Sequence, residues 1–67
     1  MKLVVSVLDL DTGESDAYDV SDFQEMANTM VSTAKDITEG VVTVYDDDRE
    51  CSLIIRLEVR DGVLMEG

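Results

Sequence analysis

Carboxylates are the side chains in this sequence with the most chemistry to offer. The 67 residues contain 16 Asp and Glu against five Lys and Arg, with no His, and the formal net charge is -11. The acidic residues are concentrated in two stretches. One covers residues 9–25 without any basic residue, and the other covers residues 46–50, where only Arg49 interrupts it. Such clusters could transfer protons, bind cations or attract a basic partner.

Proton-transfer catalysis is the first of these chemistries, and the sequence argues against it. A catalytic carboxylate pair needs burial that sets the two pKa values apart. Here the acidic residues fall in predicted turns and on exposed faces, and no His is present to act as a base. None of the five serines has an activating neighbour. We therefore expect no catalytic residues and no enzymatic activity.

Metal binding is the second chemistry. Asp9, Asp11 and Gly13 resemble the start of an EF-hand calcium loop, which requires Gly at its sixth position and Glu at its twelfth. In a loop that begins at Asp9, the sixth position is Glu14 and the twelfth is Val20, so the pattern fails. Cys51 is the single cysteine, and without His it does not indicate a zinc site. We expect no metal site and no cofactor.

Apolar periodicity predicts the elements that carry the carboxylates. Four segments alternate as strands do, at residues 2–10, 15–20, 41–45 and 51–60. Residues 46–50 form the connection between the last two strands, Asp61 and Gly62 form a final turn, and residues 63–67 form a tail. In the fourth strand, the alternation from Cys51 through Leu53 to Val59 predicts one core-facing side. Arg56 and Arg60 then lie on the other side.

One helix is predicted between the second and third strands. Ser21 and Gln24 fit a capping box at its start, and Gly40 is placed to end it. Its apolar stripe follows spacings of three and four through Phe23, Met26, Ala27, Met30, Val31, Ala34 and Ile37. The chain is thus a single α+β domain over residues 1–67. Its order is β-β-α-β-β, a four-stranded, mainly antiparallel sheet with one helix packed on one face.

The antiparallel chain direction gathers the acidic residues at two ends of this domain. The lower acidic end comprises Asp22, Glu25, Asp46, Asp47, Asp48 and Glu50. The upper acidic end comprises Asp9, Asp11, Glu14, Asp16, Asp36 and Glu39. At roughly 1.5 Å of rise per helical residue, the two ends lie about 20–25 Å apart. The residues expected to bind a partner are all six of the lower end together with Asp11, Glu14 and Asp16.

The net charge restricts the choice of partner. A chain this acidic repels the phosphates of nucleic acids and of anionic membranes, so we expect direct binding to neither. No apolar stretch reaches the ~20 residues of a membrane span, and no signal peptide is predicted. We therefore expect a cytoplasmic monomer that binds a basic protein surface. Carboxylates spaced on a rigid body could occupy the Lys and Arg side chains of a DNA-binding groove. Acidity that serves only solubility is the alternative.

In its size, its lack of proline, its acidity and its carboxylate clusters in turns, the chain resembles the small phage-encoded anti-CRISPR proteins. Among them it is similar to DNA-mimic inhibitors of type I surveillance complexes and, more loosely, to type I-C inhibitors. The resemblance implies a phage or mobile-element protein that acts in the host bacterial cell. It would cover a Lys- and Arg-lined surface on the duplex-recognising subunit and block target DNA. A small antitoxin-like or assembly module that caps a basic partner is the competing interpretation.

Overall fold

The computed structural model describes residues 2–50 and 52–66, with the backbone alone described at Arg49. The elements in chain order are β1 (Leu3–Asp9), β2 (Ser15–Val20), α1 (Phe23–Ala34), β3 (Glu39–Asp46), a 3-10 turn (Asp47–Arg49), β4 (Ser52–Arg60) and β5 (Val63–Met65). All neighbouring strands are antiparallel, in the order β2-β1-β3-β4-β5. The predicted α+β class with one helix is confirmed. The predicted number of four strands is wrong, because the described residues form five.

The missed strand is β5, which lies within the predicted tail of residues 63–67. Asp61 and Gly62 both have positive φ, 52° and 79°, and form a tight turn that folds Val63 back against Arg60. The turn is anchored from outside the sheet, since Asp61 N–H donates to the Thr38 carbonyl at 2.7 Å. Three residues are too few to show an alternating pattern. The strand therefore depends on its turn and its neighbour rather than on its own sequence.

β1 is an interior strand, with the edge strand β2 on one side and β3, the middle strand of the five, on the other. Its odd-numbered residues Leu3, Val5 and Val7 are buried under α1, together with Val42 and Val44 of β3. The remaining buried apolar side chains are Val20, Met30, Ala34, Ile37 and Val59. This set leaves the opposite face of the sheet without a covering helix in the described part of the chain. A single layer of aliphatic side chains thus joins the helix to the sheet.

The helix is shorter than predicted at both ends. Asp22, not Ser21, is the N-cap, and its carboxylate accepts a hydrogen bond from Glu25 N–H at 2.8 Å. The Glu25 carboxylate reaches back to Ser21 N–H at 3.4 Å, so the capping interaction exists one residue further along than predicted. An aspartate caps at least as well as a serine, and the following Glu25 suits the helix start. The apolar stripe is also narrower than predicted, with Phe23 and Val31 more than half exposed.

Gly40 does not end the helix, which stops at Ala34, but lies in β3 opposite Asp9. A Cβ built on Gly40 would collide with the Leu8 carbonyl oxygen and lie 2.8 Å from Ile37 Cγ2. Glycine is required here because two backbones and a buried side chain meet at one point, not because a helix terminates. Ile37 accordingly reaches the core from the connection after the helix.

A β-bulge changes which residues of β4 face the helix. The register pairs Val44 with Ile55 but Tyr45 with Leu53, so one residue of β4 is extra at this point. Directly paired residues share a face, and Leu53 therefore lies on the outer face with Tyr45. Leu53 is 57% exposed. The prediction that Leu53 faces the core is wrong, and Cys51 lies outside the described residues.

Because of the bulge, we predict different effects of the same substitution at Val44 and Leu53, two apolar residues that lie close together in the sheet. Val44→Asp places an unpaired carboxylate at a position with no exposure. Its cost rivals the whole stability of a chain this size, about 3–10 kcal/mol, and circular dichroism should show an unfolded protein. Leu53→Asp should change the stability by no more than about 0.5 kcal/mol. If Leu53→Asp unfolded the protein as completely as Val44→Asp, the outward position of Leu53 would be incorrect.

Candidate functional site

The upper acidic end forms where β1 finishes. Asp9 N–H donates to the Glu14 carbonyl at 2.9 Å, and Leu10 N–H donates to the Glu39 carbonyl at 2.9 Å. The last residue of β1 and the residue that follows it thus bond to the residue before β2 on one side and to the first residue of β3 on the other. The Asp9 carboxylate accepts from Asp11 N–H at 2.9 Å and from Thr12 N–H at 3.4 Å, which fixes the intervening turn. Glu14 emerges from that turn in a defined position.

A pocket of about 260 Å³ opens between β2 and the C-terminal part of α1 at this end. Four carboxylates line it, from Asp9, Glu14, Asp16 and Asp36. The other lining residues are Val7, Tyr18, Ser32, Thr33 and Ile37, so the pocket has no Lys or Arg among its described lining residues. Within the described part of the chain, no group hydrogen-bonds or ion-pairs with the side chains of Glu14, Asp16 or Asp36.

The polar groups of the pocket are mainly hydrogen-bond acceptors. The hydroxyls of Ser32 and Thr33 donate to the Thr29 carbonyl at 3.2 Å and 2.7 Å, so the hydroxyl oxygens remain able to accept. The C-terminal end of a helix carries partial negative charge, and α1 ends beside the pocket. Tyr18 adds an aromatic ring at the wall. A cationic donor such as an ammonium or guanidinium group matches this set of acceptors.

Of the upper residues expected to bind a partner, Glu14 and Asp16 line the pocket, whereas Asp11 is exposed in the turn outside it. Tyr18, Ser32 and Thr33 were not recognised from the sequence. Asp16 and Tyr18 are two residues apart in β2 and therefore share a face. Ser32 and Asp36 are four residues apart where the helix ends, which places them on one side of it. These two spacings could have indicated the pocket.

The lower acidic end uses several of its carboxylates to hold local structure. Leu3 of β1 pairs with Val20 on one side and Asp46 on the other, which brings the start of the helix and the 3-10 turn to the same end of the sheet. Asp22 caps α1, and the Asp46 carboxylate accepts from Asp48 N–H at 3.0 Å as the cap of the 3-10 turn. Glu50 ends this turn in a left-handed conformation, with φ 55°.

Lys2 also lies at the lower acidic end, a position that was not predicted from the sequence. Its Nζ lies 3.2 Å from Asp47 Oδ2, and its backbone N–H donates to Asp48 Oδ2 at 2.9 Å. The hydrogen bond that the Lys2 ammonium donates to Asp47, and then the charges of Asp47 and Asp19, hold the pKa of Lys2 above its usual value. Lys2 therefore offsets part of the negative charge at this end. The two acidic ends thus differ in kind, since an ion pair forms at the lower end, whereas the described lining of the upper pocket has no basic residue.

Arg56 and Arg60 lie on the outer face of the sheet, as predicted. Arg56 pairs with Thr43, which pairs with Ser6, and Ser6 alternates with the buried residues of β1. Arg60 Nη2 lies 3.8 Å from Glu58 Oε2, and both side chains are solvent-accessible. The pocket opens on the other side of the sheet, beside the helix. The basic residues of β4 thus do not reduce the charge of its lining.

Comparison with known proteins adds no relative to this description. No protein-family model, no curated protein and no solved structure matches the chain. Across residues 2–50 and 52–66, no three Cys, His, Asp or Glu side chains are arranged to hold a metal ion. The helix in this part of the chain is too short and too polar to cross a membrane. The site is therefore interpreted from its own geometry.

The two kinds of carboxylate should respond differently to removal. Asp22→Ala deletes the N-cap hydrogen bond and should cost about 0.5–2 kcal/mol of unfolding free energy. Asp16→Ala removes one of several like charges around the pocket, and the stability should stay the same or rise slightly. Urea unfolding of both variants at low salt would measure the difference. A loss at Asp16 equal to the loss at Asp22 would contradict this division between structural and unengaged carboxylates.

Proposed function

We propose that this chain is a non-catalytic acidic binding protein that inhibits a nucleic-acid-binding complex, a type I CRISPR-Cas surveillance complex, by imitating DNA and blocking target DNA binding. The observation that carries the proposal is the pocket lined by Asp9, Glu14, Asp16 and Asp36, with no Lys or Arg among its described lining residues. The resemblance in size, charge and composition to anti-CRISPR proteins supports the choice of partner. No bond is made or broken in this mechanism.

The amount of charge suits competition with a duplex. Double-stranded DNA carries one negative charge per ~1.7 Å of its axis. A duplex as long as the 31 Å longest extent of the protein therefore carries about 18 charges. The protein has a net charge of -11, about 60% of that number. The negative charge that the protein offers to a basic groove is therefore comparable to, though smaller than, that of a duplex of the same length.

The fixed geometry of the upper end favours binding. Asp9 is held by two backbone donors, and Glu14 and Asp16 follow directly from the same hydrogen-bonded turn. Binding then costs little loop-ordering entropy. Lys and Arg side chains of the partner would donate into the pocket in place of donating to phosphates. The lower end adds long-range attraction, which accelerates association more than it strengthens the complex.

Substitutions that remove charge but keep the side-chain shape can show which acidic end binds the partner. The upper triple is Glu14→Gln, Asp16→Asn and Asp36→Asn, and the lower triple is Asp46→Asn, Asp47→Asn and Asp48→Asn. Each removes three negative charges, and Asn can still act as a cap at Asp46. The upper triple should weaken inhibition of duplex binding by a purified type I complex about tenfold or more, and the lower triple should weaken it less.

Salt provides an independent measurement on the unmodified protein. Its association rate with the complex should fall steeply as the Debye length shortens to ~8 Å at physiological ionic strength.

If both triples inhibited within twofold of the parent, DNA mimicry would be wrong and the acidity would serve solubility. Tight binding to a basic protein without loss of DNA binding would favour the antitoxin-like module.

A further inference from the structure

β2 lies at the edge of the sheet, and its hydrogen-bond pattern shows which groups face outward. Asp9 N–H donates to the Glu14 carbonyl. Along an antiparallel pair, residues whose backbone groups bond to the neighbouring strand alternate with residues whose backbone groups point away from it. Asp16, Tyr18 and Val20 therefore bond to β1. The backbone N–H and C=O groups of Ser15, Ala17 and Asp19 point away from the sheet. The bonds from Leu10 to Glu39 and from Asp47 to Lys2 agree, because they show that even-numbered residues of β1 bond to β3.

This edge is open and regular along its whole length. The pairing of β2 with β1 runs through six consecutive residues without a bulge, and the sequence contains no proline. Among the described residues, no further backbone group bonds to residues 15–20 from the outer side. Edges of this kind bind extended segments by adding a strand, and proteins commonly protect them with bulges, prolines or charged side chains. Here the charged side chains of Asp16 and Asp19 are the only such protection.

The side chains of β2 define what an added strand would meet. Asp16 and Tyr18 pair with the buried Val7 and Val5, so they project on the helix side, where both line the pocket. Ala17 and Asp19 project on the outer side. Residues in neighbouring strands have Cβ atoms about 4.5–5.5 Å apart when directly opposite. Every second side chain of an added strand would therefore lie next to Asp16, Tyr18 and the pocket.

The negative charge of β2 indicates which kind of segment could bind at this edge. A second copy of this chain would bring another net charge of -11 and would place a second strand that carries two aspartates against the first. Like charges directly opposite in a sheet destabilise the pair, whereas opposite charges and cation–aromatic contacts stabilise it. A cationic segment thus complements both the edge and the pocket, and a second copy complements neither.

We propose that β2 is a docking edge for an extended segment of the partner with Lys or Arg at every second position. The segment adds antiparallel to β2 as a sixth strand, with its backbone bonded to Ser15, Ala17 and Asp19. Its cationic side chains lie on the helix side against Asp16, Tyr18 and the acidic pocket. This inference rests on the proposed function for the basic nature of the partner, but it concerns how the surface is held and not whether DNA is excluded.

The probe is a synthetic nine-residue peptide of alternating Val and Lys, titrated into the ¹⁵N-labelled protein. Amide shifts and slowed hydrogen exchange should appear at Ser15, Ala17 and Asp19. In an antiparallel addition, the peptide N–H groups that face β2 belong to the Val residues. N-methylation of the Val residues should weaken binding about tenfold or more, while N-methylation of the Lys residues should leave it within about threefold. The two methylated peptides carry the same charge.

Variants of the protein give a second measurement. Ala17→Pro removes one outward N–H without touching the bonds to β1, and edge strands tolerate proline. It should weaken binding of the peptide, while Ala17→Val, which keeps the N–H, should not. Circular dichroism establishes that both variants fold, and the methylated peptides test the same edge on the parent protein. Equal affinity for the two methylated peptides would overturn strand addition, because charge alone would then hold the segment.

Two further outcomes have defined meanings. Concentration-dependent dimers in sedimentation that Ala17→Pro abolishes would show that a second copy occupies the edge, and would overturn the proposal. Failure of the proposed function would give a different result. A protein that binds the peptide at β2 but does not displace duplex from the surveillance complex would refute DNA mimicry and leave the edge site standing. Displacement of duplex with no response at Ser15, Ala17 and Asp19 would reject the edge site and leave inhibition standing.

Discussion

The pairing of β1 with both β2 and β3 is the constraint on which the rest of the structure depends. Leu3 meets Val20 and Asp46 at one end of this strand, and Asp9 meets Glu14 and Gly40 at the other. A shift of one residue would turn Leu3, Val5 and Val7 out of the core. The same register therefore fixes the core and assembles each of the two acidic ends at its own end of the sheet. Gly40 permits this pairing, since a side chain there would force the two backbones apart.

The acidic residues then divide by what surrounds them. At the lower end, Asp22 and Asp46 accept backbone hydrogen bonds, and Asp47 pairs with Lys2. Exposed ion pairs of this kind contribute little to stability, but they do reduce the local field. At the upper end, Asp16 and Asp36 line a concave surface together with the end of a helix. Negative charge in a cleft attracts cations more strongly than the same charge spread over a convex surface.

Alternation and capping predicted much of this from the sequence, including the four longer strands, the single helix and the gathering of Glu14 with Asp16 at one end. The errors have local physical causes. The start of α1 was misplaced because Ser21 and Asp22 can both act as N-cap. In the structure, the Asp22 carboxylate accepts the capping hydrogen bond. Leu53 was assigned to the core because a bulge leaves no mark in an alternating sequence. The pocket itself combines β2 with the far end of α1, and the packing of the helix on the sheet brings Tyr18 and Asp36 to the same pocket.

Carboxylate footprinting tests the central claim, that the upper acidic pocket is the surface that binds the basic partner. The protein is labelled with a carbodiimide, free and bound to a purified type I surveillance complex, and mass spectrometry measures the modification of each carboxylate. We expect Glu14, Asp16 and Asp36 to be protected in the complex, with Asp22 and Glu25 labelled as in the free protein. Protection confined to Asp22, Glu25 and residues 46–50, or no protection at the pocket, would contradict the account.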